Sequence, residues 1–172
     1  MNPVRSSDKS MVQDMLLEFN GVNPILIARD ALHEHDTEVR VHPCDWKGDC
    51  RMHIPVELKQ VSKHLKQHHG ISTSATSGDT QKITCLWTGC LDTHTKPGNI
   101  SRHVLTQHLG VRWICSKCGS SLSREDAFRR HSLESLSCQS AEVVVDYGDE
   151  SQVIDLVYID GGWSASQNVM LI

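Results

Sequence analysis

The chain has 172 residues, a formal net charge of −4 and a mean hydropathy of −0.33, and two Phe, four Trp and two Tyr are its only aromatic residues. A single domain of this length would bury roughly 70% of the surface its unfolded chain exposes, and so few aromatics argue against one large apolar core. No run approaches the roughly 18 consecutive apolar residues of a membrane span, and no basic stretch leads into an apolar one. The expectation is therefore a chain neither inserted in a membrane nor secreted, whose seven cysteines and eleven histidines are metal ligands rather than a disulfide framework.

Residues 1–37 form the first segment, an acidic arm. Its Met11–Phe19 stretch has the pattern of two or three helical turns and ends at Asn20-Gly21, a turn signal; a helix this short is marginal alone. His33-Glu34-His35-Asp36 lacks the spacing that puts two ligands on one helical face beside a base, so it reads as a solvated polar run. Next, residues 38–70 hold Cys44-x5-Cys50-x13-His64, followed by His68 or His69. Residues 71–82, rich in Ser, Thr and Gly, read as a flexible linker.

Residues 83–109 hold Cys85-x4-Cys90-x12-His103-x4-His108, and residues 112–139 hold Cys115-x2-Cys118-x12-His131-x6-Cys138. Residues 140–172 are acidic and apolar. Two β-prone runs there, Val143–Gly148 and Val153–Ile159, could pair as a hairpin, though a lone hairpin is marginal. Charge follows the same division: residues 40–140 carry 14 basic and 8 acidic side chains, whereas residues 141–172 carry no basic and 6 acidic ones.

Three cysteine pairs, each followed at nearly constant distance by histidine, use every cysteine once. Zinc prefers four tetrahedral thiolate and imidazole ligands, with two sulfurs from a tight turn and two ligands from one face of a following helix. Some twelve intervening residues finish a hairpin and run two helical turns. A ββα unit of about thirty residues cannot hold itself by apolar burial, and metal binding worth roughly 10–16 kcal/mol supplies its folding energy. The expected fold is a small α+β array of three zinc-stabilised ββα fingers, with mobile acidic N- and C-terminal arms and three zinc ions. His68 and His69 compete for one coordination place, and Cys138 closes the third site across a spacing longer than the usual three to five residues.

This layout resembles the two-cysteine, two-histidine zinc-finger family over residues 42–138. The first two units also carry a tryptophan between their cysteines, in Cys44-Asp-Trp46-Lys-Gly-Asp-Cys50 and Cys85-Leu-Trp87-Thr-Gly-Cys90. That pair is similar to the tandem fingers at the start of the Gli, Zic and fungal pH-response factors. The resemblance implies that Trp46 and Trp87 pack against each other's fingers, and that the first finger props the second instead of reading DNA. Between His108 and Cys115 runs Leu-Gly-Val-Arg-Trp-Ile, a departure from the Thr-Gly-Glu-Lys-Pro linker of DNA-reading arrays.

In a DNA-reading finger, helix positions −1, 3 and 6 face successive bases. Those positions are Lys96, Asn99 and Arg102 in the second unit and Arg124, Ala127 and Arg130 in the third. Arginine forks onto guanine and asparagine onto adenine. The first unit offers Glu57, Gln60 and Lys63 instead, in keeping with a propping role, while Lys66, Arg112, Lys117 and Arg129 are candidates for phosphate contacts.

The expected function is a nuclear, zinc-dependent transcriptional regulator that binds double-stranded DNA at a short G-rich site, with the acidic arms meeting protein partners. It is not expected to be an enzyme, to take a small-molecule substrate or to bind a membrane. The alternative is a zinc-finger module for protein or RNA without sequence-specific DNA reading.

Overall fold

A computed structural model describes residues 23–73, 82–92 and 95–172. The possible helix at Met11–Phe19 and most of the expected linker lie outside the described residues. Two compact units emerge. One comprises the described residues before Arg40 together with Ile154–Ile172; the other is Arg40–Val153.

In the first unit, β1 (Ile25–Ile27) runs parallel to β9 (Val169–Leu171), and β8 (Trp163–Ser164) pairs antiparallel with the other side of β9. The register sets Leu26 beside Met170. Leu26, Ile27, Val169 and Met170 are all buried, so both short apolar runs exist as strands because each covers the other. Gln167 clasps the backbone of Asp155 twice: Asp155 N–H donates to its Oε1 at 2.8 Å and its Nε2 donates to the Asp155 carbonyl at 2.8 Å.

The larger unit is built around the cysteine segments. β2 (Glu38–Pro43) pairs antiparallel with β3 (His53–Pro55), and α1 (Leu58–His69) follows. α1 buries Gln60, Val61, His64 and Leu65 and ends on Gly70, whose left-handed φ of 65° lets its N–H return to the Leu65 carbonyl. That is the common glycine stop of a helix.

Among its described residues the second cysteine segment shows an isolated bridge between Ile83 and Thr95 and no extended hairpin. A 3-10 turn at Pro97–Asn99 then leads into α2 (Ile100–His103) and a π-helical turn at Val104–His108. The third has β4 (Arg112–Cys115) antiparallel to β5 (Ser121–Leu122), followed by α3 (Glu125–Glu134).

One apolar cluster includes Trp46, Ile54, Val61 and Leu65 from the first cysteine segment and Trp87, Ile100, Val104 and Leu109 from the second. Around the third segment a smaller cluster holds Cys115, Phe128 and Cys138. Burial is thus split into patches next to the cysteines, as the scarcity of aromatics requires.

Residues 140–172 depart from the expected arm and possible hairpin. β6 (Val143–Asp146) becomes the third strand of the β4–β5 sheet, and β7 (Gln152–Asp155) joins β2 instead of β6. β6 runs antiparallel to β4 with Val145 opposite Trp113 and Val143 opposite Cys115. The physical reason is partner surface: Val145 and Tyr147 pack against the main apolar cluster, which a free hairpin would leave in water. The path is tight at Gly148, where φ is +72° and an added Cβ would lie 2.9 Å from the Leu109 carbonyl oxygen.

Candidate metal centres

Among the described residues, three groups of four ligand atoms form, each with its atoms within 4.8 Å of one another: Cys44, Cys50, His64 and His69; Cys85, Cys90, His103 and His108; and Cys115, Cys118, His131 and Cys138. No disulfide links any of the seven cysteines. With Zn–N near 2.0–2.1 Å and Zn–S near 2.3 Å, the edges of a zinc tetrahedron are about 3.3 Å between nitrogens and about 3.6 Å between nitrogen and sulfur.

In the first group the two histidine Nε2 atoms stand 3.2 Å apart, and the sulfur–nitrogen separations are 3.5 Å for Cys44–His69 and 3.7 Å for Cys50–His64. In the second the corresponding values are 3.2 Å for His103–His108 and 3.4 Å for both Cys85–His108 and Cys90–His103. In the third, Cys118 Sγ lies 3.3 Å from His131 Nε2. These are the edges of tetrahedra sized for zinc, and the chain carries three zinc sites.

The helices explain how histidines five residues apart converge. A regular α-helix turns 3.6 residues at a time and favours three- or four-residue spacing. In the second group the π-helical turn at Val104–His108 widens the helix at the ligand, a distortion often met at functional sites. In the first, His69 is the last residue of α1, directly before the left-handed Gly70. His68 stays outside the ligand group, its ring stacked on that of His64 with centroids 4.7 Å apart. In the third, α3 stops at Glu134, Ser135 turns extended, and a 3-10 turn at Leu136–Cys138 returns the Cys138 thiol to a position only 1% exposed.

Local electrostatics favour the metal-binding form at some ligands and oppose it at others. A hydrogen bond from Cys44, outweighing burial, holds the Cys50 thiol down at about 3, while the same bond together with burial pushes Cys44 well up. Burial raises Cys85 to about 11. Cys118, bonded by the Ser120 hydroxyl and backbone, is lowered to about 6. Burial lowers His108 to about 4 and also lowers His69, which keeps both imidazoles neutral, the form that binds metal. Asp92 Oδ2 stands 3.9 Å from His103 Nδ1, within ion-pair range but beyond the hydrogen bond by which a carboxylate orients a zinc-bound imidazole. Sequence reasoning missed Asp92; its place two residues after Cys90 was the available signal.

The two Cys-x-Trp loops meet. Trp46 and Trp87 form an antiparallel bridge, flanked by Lys47 N–H donating to the Leu86 carbonyl at 2.8 Å and Thr88 N–H to the Asp45 carbonyl at 3.0 Å. Trp87 stacks on the ligand His108 with centroids 5.1 Å apart and planes 8° apart, and Trp46 sits 5.7 Å from His69. Each indole is buried and covers one metal site.

The six residues expected to face bases lie just before or within the helical segments that follow the cysteine pairs, and none of them is buried. Lys96 precedes the 3-10 turn, Asn99 ends it and Arg102 is in α2. Arg124 is the residue immediately before α3, with Ala127 and Arg130 at one-turn intervals within it. Comparison with protein-family models, curated proteins and solved structures finds no match.

Proposed function

We propose that this zinc-finger type protein is a nuclear transcriptional regulator that binds double-stranded DNA, reading a short G-rich site with α2, α3 and the residues just before them. One observation carries the reading. Arg124 Nε donates to Asp126 Oδ1 at 2.7 Å and its terminal nitrogen donates to Oδ2 at 2.6 Å. A fork held flat at a helix start presents the remaining guanidinium hydrogens in the geometry that guanine O6 and N7 accept. The same carboxylate lies 3.9 Å from Arg130, close to both arginines.

Four protein ligands at each cluster are the closed arrangement of structural zinc, which favours a binding protein over an enzyme. On this reading Asn99 meets adenine between guanines contacted by Arg102 and Lys96. The composite site is 5′-GNGGAG-3′, and the acidic segments are left for protein partners. Selection from random duplexes by the zinc-loaded chain should return this motif. Arg124→Ala should relax one position by about 1–3 kcal/mol and leave the others; uniform weakening on all sequences would overturn the register.

A protein-binding reading stands second, supported by Leu133 at the end of α3 and Leu136 in the turn after it, which are 77% and 85% exposed. Salt separates the two. Phosphate contacts make affinity fall steeply with salt, and apolar contacts do not.

A further inference from the structure

On the resemblance, the first cysteine segment only props the second, yet α1 carries a feature that propping does not use. A groove of about 630 Å³ runs between α1 and α2, lined by Lys59, Ser62, Lys63 and Lys66 from one helix and Ser101 and Arg102 from the other. Spacings of four and three residues set the three lysines on one face of α1. None of the described residues lining the groove is acidic, and Lys59 and Lys66 have no acidic partner among the described residues.

A second observation is independent of charge. Ser101 is 5% exposed, and its Oγ is buried without a hydrogen-bond partner. Nearby hydroxyls are engaged: Thr106 Oγ1 donates to the Arg102 carbonyl at 2.9 Å, and Ser62 Oγ lies 2.6 Å from Thr73 Oγ1. A buried hydroxyl left unpaired at the wall of a basic groove is a donor waiting for an acceptor.

We propose that this groove binds phosphate groups of a nucleic-acid backbone, with Lys59, Lys63 and Lys66 neutralising them and Ser101 donating to one phosphate oxygen. Length selects a strand over a lone ion. Lys59 to Lys66 spans about 10 Å of helix, longer than a single phosphate and long enough for successive phosphates of one strand. Such contacts position without reading sequence. The inference rests on the nucleic-acid reading above and deepens it: the first cysteine segment anchors the backbone while the other two meet bases.

The test compares wild type, Lys59→Gln/Lys66→Gln and Ser101→Ala, all zinc-loaded full chains, by fluorescence anisotropy on a labelled duplex of the selected sequence across a salt series. In parallel, amide spectra are recorded with inorganic phosphate. The lysine pair should lower the slope of log K against log salt by about 1.8, at about 0.9 per lost contact, with base preference unchanged. Ser101→Ala should weaken duplex binding several-fold without lowering the melting temperature, because it deletes an unpaired buried hydroxyl.

If wild type binds the duplex and both variants match it in affinity and slope, the groove proposal is overturned while the DNA reading stands. If wild type binds no duplex but inorganic phosphate shifts the amides of Lys59–Lys66 and Ser101, the groove takes free phosphate and the DNA reading falls. Absence of both responses ends both.

Discussion

At the scale of single residues, the ligand sets follow from what zinc demands. Thiolate and imidazole types at constant spacing identified all three clusters, because coordination distances leave little freedom in how far apart along the chain the donors lie. The choice between His68 and His69 was not legible, since it depends on how α1 ends. A four-residue spacing suits an undistorted helix, whereas the observed ligand, His69, borrows the loosened backbone beside Gly70. His69→Ala should therefore reduce the metal count from three zinc ions to two by native mass spectrometry, while His68→Ala should keep all three and lose only the stacking on His64. The reverse result would reassign the ligand.

Among the elements, the helices after the cysteine pairs were legible from the spacing of the metal ligands, and the strands of residues 140–172 were legible only as strands. Their partners were not. β6 is Val-Val-Val-Asp with only Val145 packed against the core, and nothing in four such residues distinguishes pairing with β7 from pairing with β4. What decides it is the half-buried face offered by Trp113 and the close pass of Gly148 over Leu109 and Gly110. Gly148→Ala therefore tests the element: a methyl group 2.9 Å from a carbonyl oxygen on a left-handed backbone should destabilise the fold by about 1–3 kcal/mol. Thermal denaturation of the zinc-loaded chain measures it, and an unchanged melting temperature would show that β6 is not held there. The basic groove escaped the sequence reading for the same reason, since Ser101 acquires meaning only when α1 and α2 are side by side.

For the molecule as a whole, stability is divided between metal and burial. The Arg40–Val153 unit holds all twelve ligands of the three sites, and among the described residues its apolar clusters are built around them, so metal binding, at roughly 10–16 kcal/mol per structural zinc, is a large part of its folding energy. Chelation should collapse the amide dispersion of residues 40–153 and abolish Trp46–Trp87 contacts, with recovery on adding zinc back. Retained dispersion after complete zinc removal, checked by mass spectrometry, would mean that apolar burial carries more of the fold than its composition suggests.

The parallel pairing of β1 with β9 bears on mechanics. Tension applied through the chain flanking these strands pulls β1 from its N-terminal end and β9 from its C-terminal end. Parallel neighbours loaded from opposite ends are sheared along their length. The bonds joining Ile25 to Asn168, Ile172 to Ile27 and Arg29 to Ile172, all 2.8–3.0 Å, then share the load together instead of opening one by one. Everything from Ala28 to Asn168, including all three zinc sites, lies within the loop that this short sheet closes, so a pull on the chain reaches the metal only after the sheet has given way.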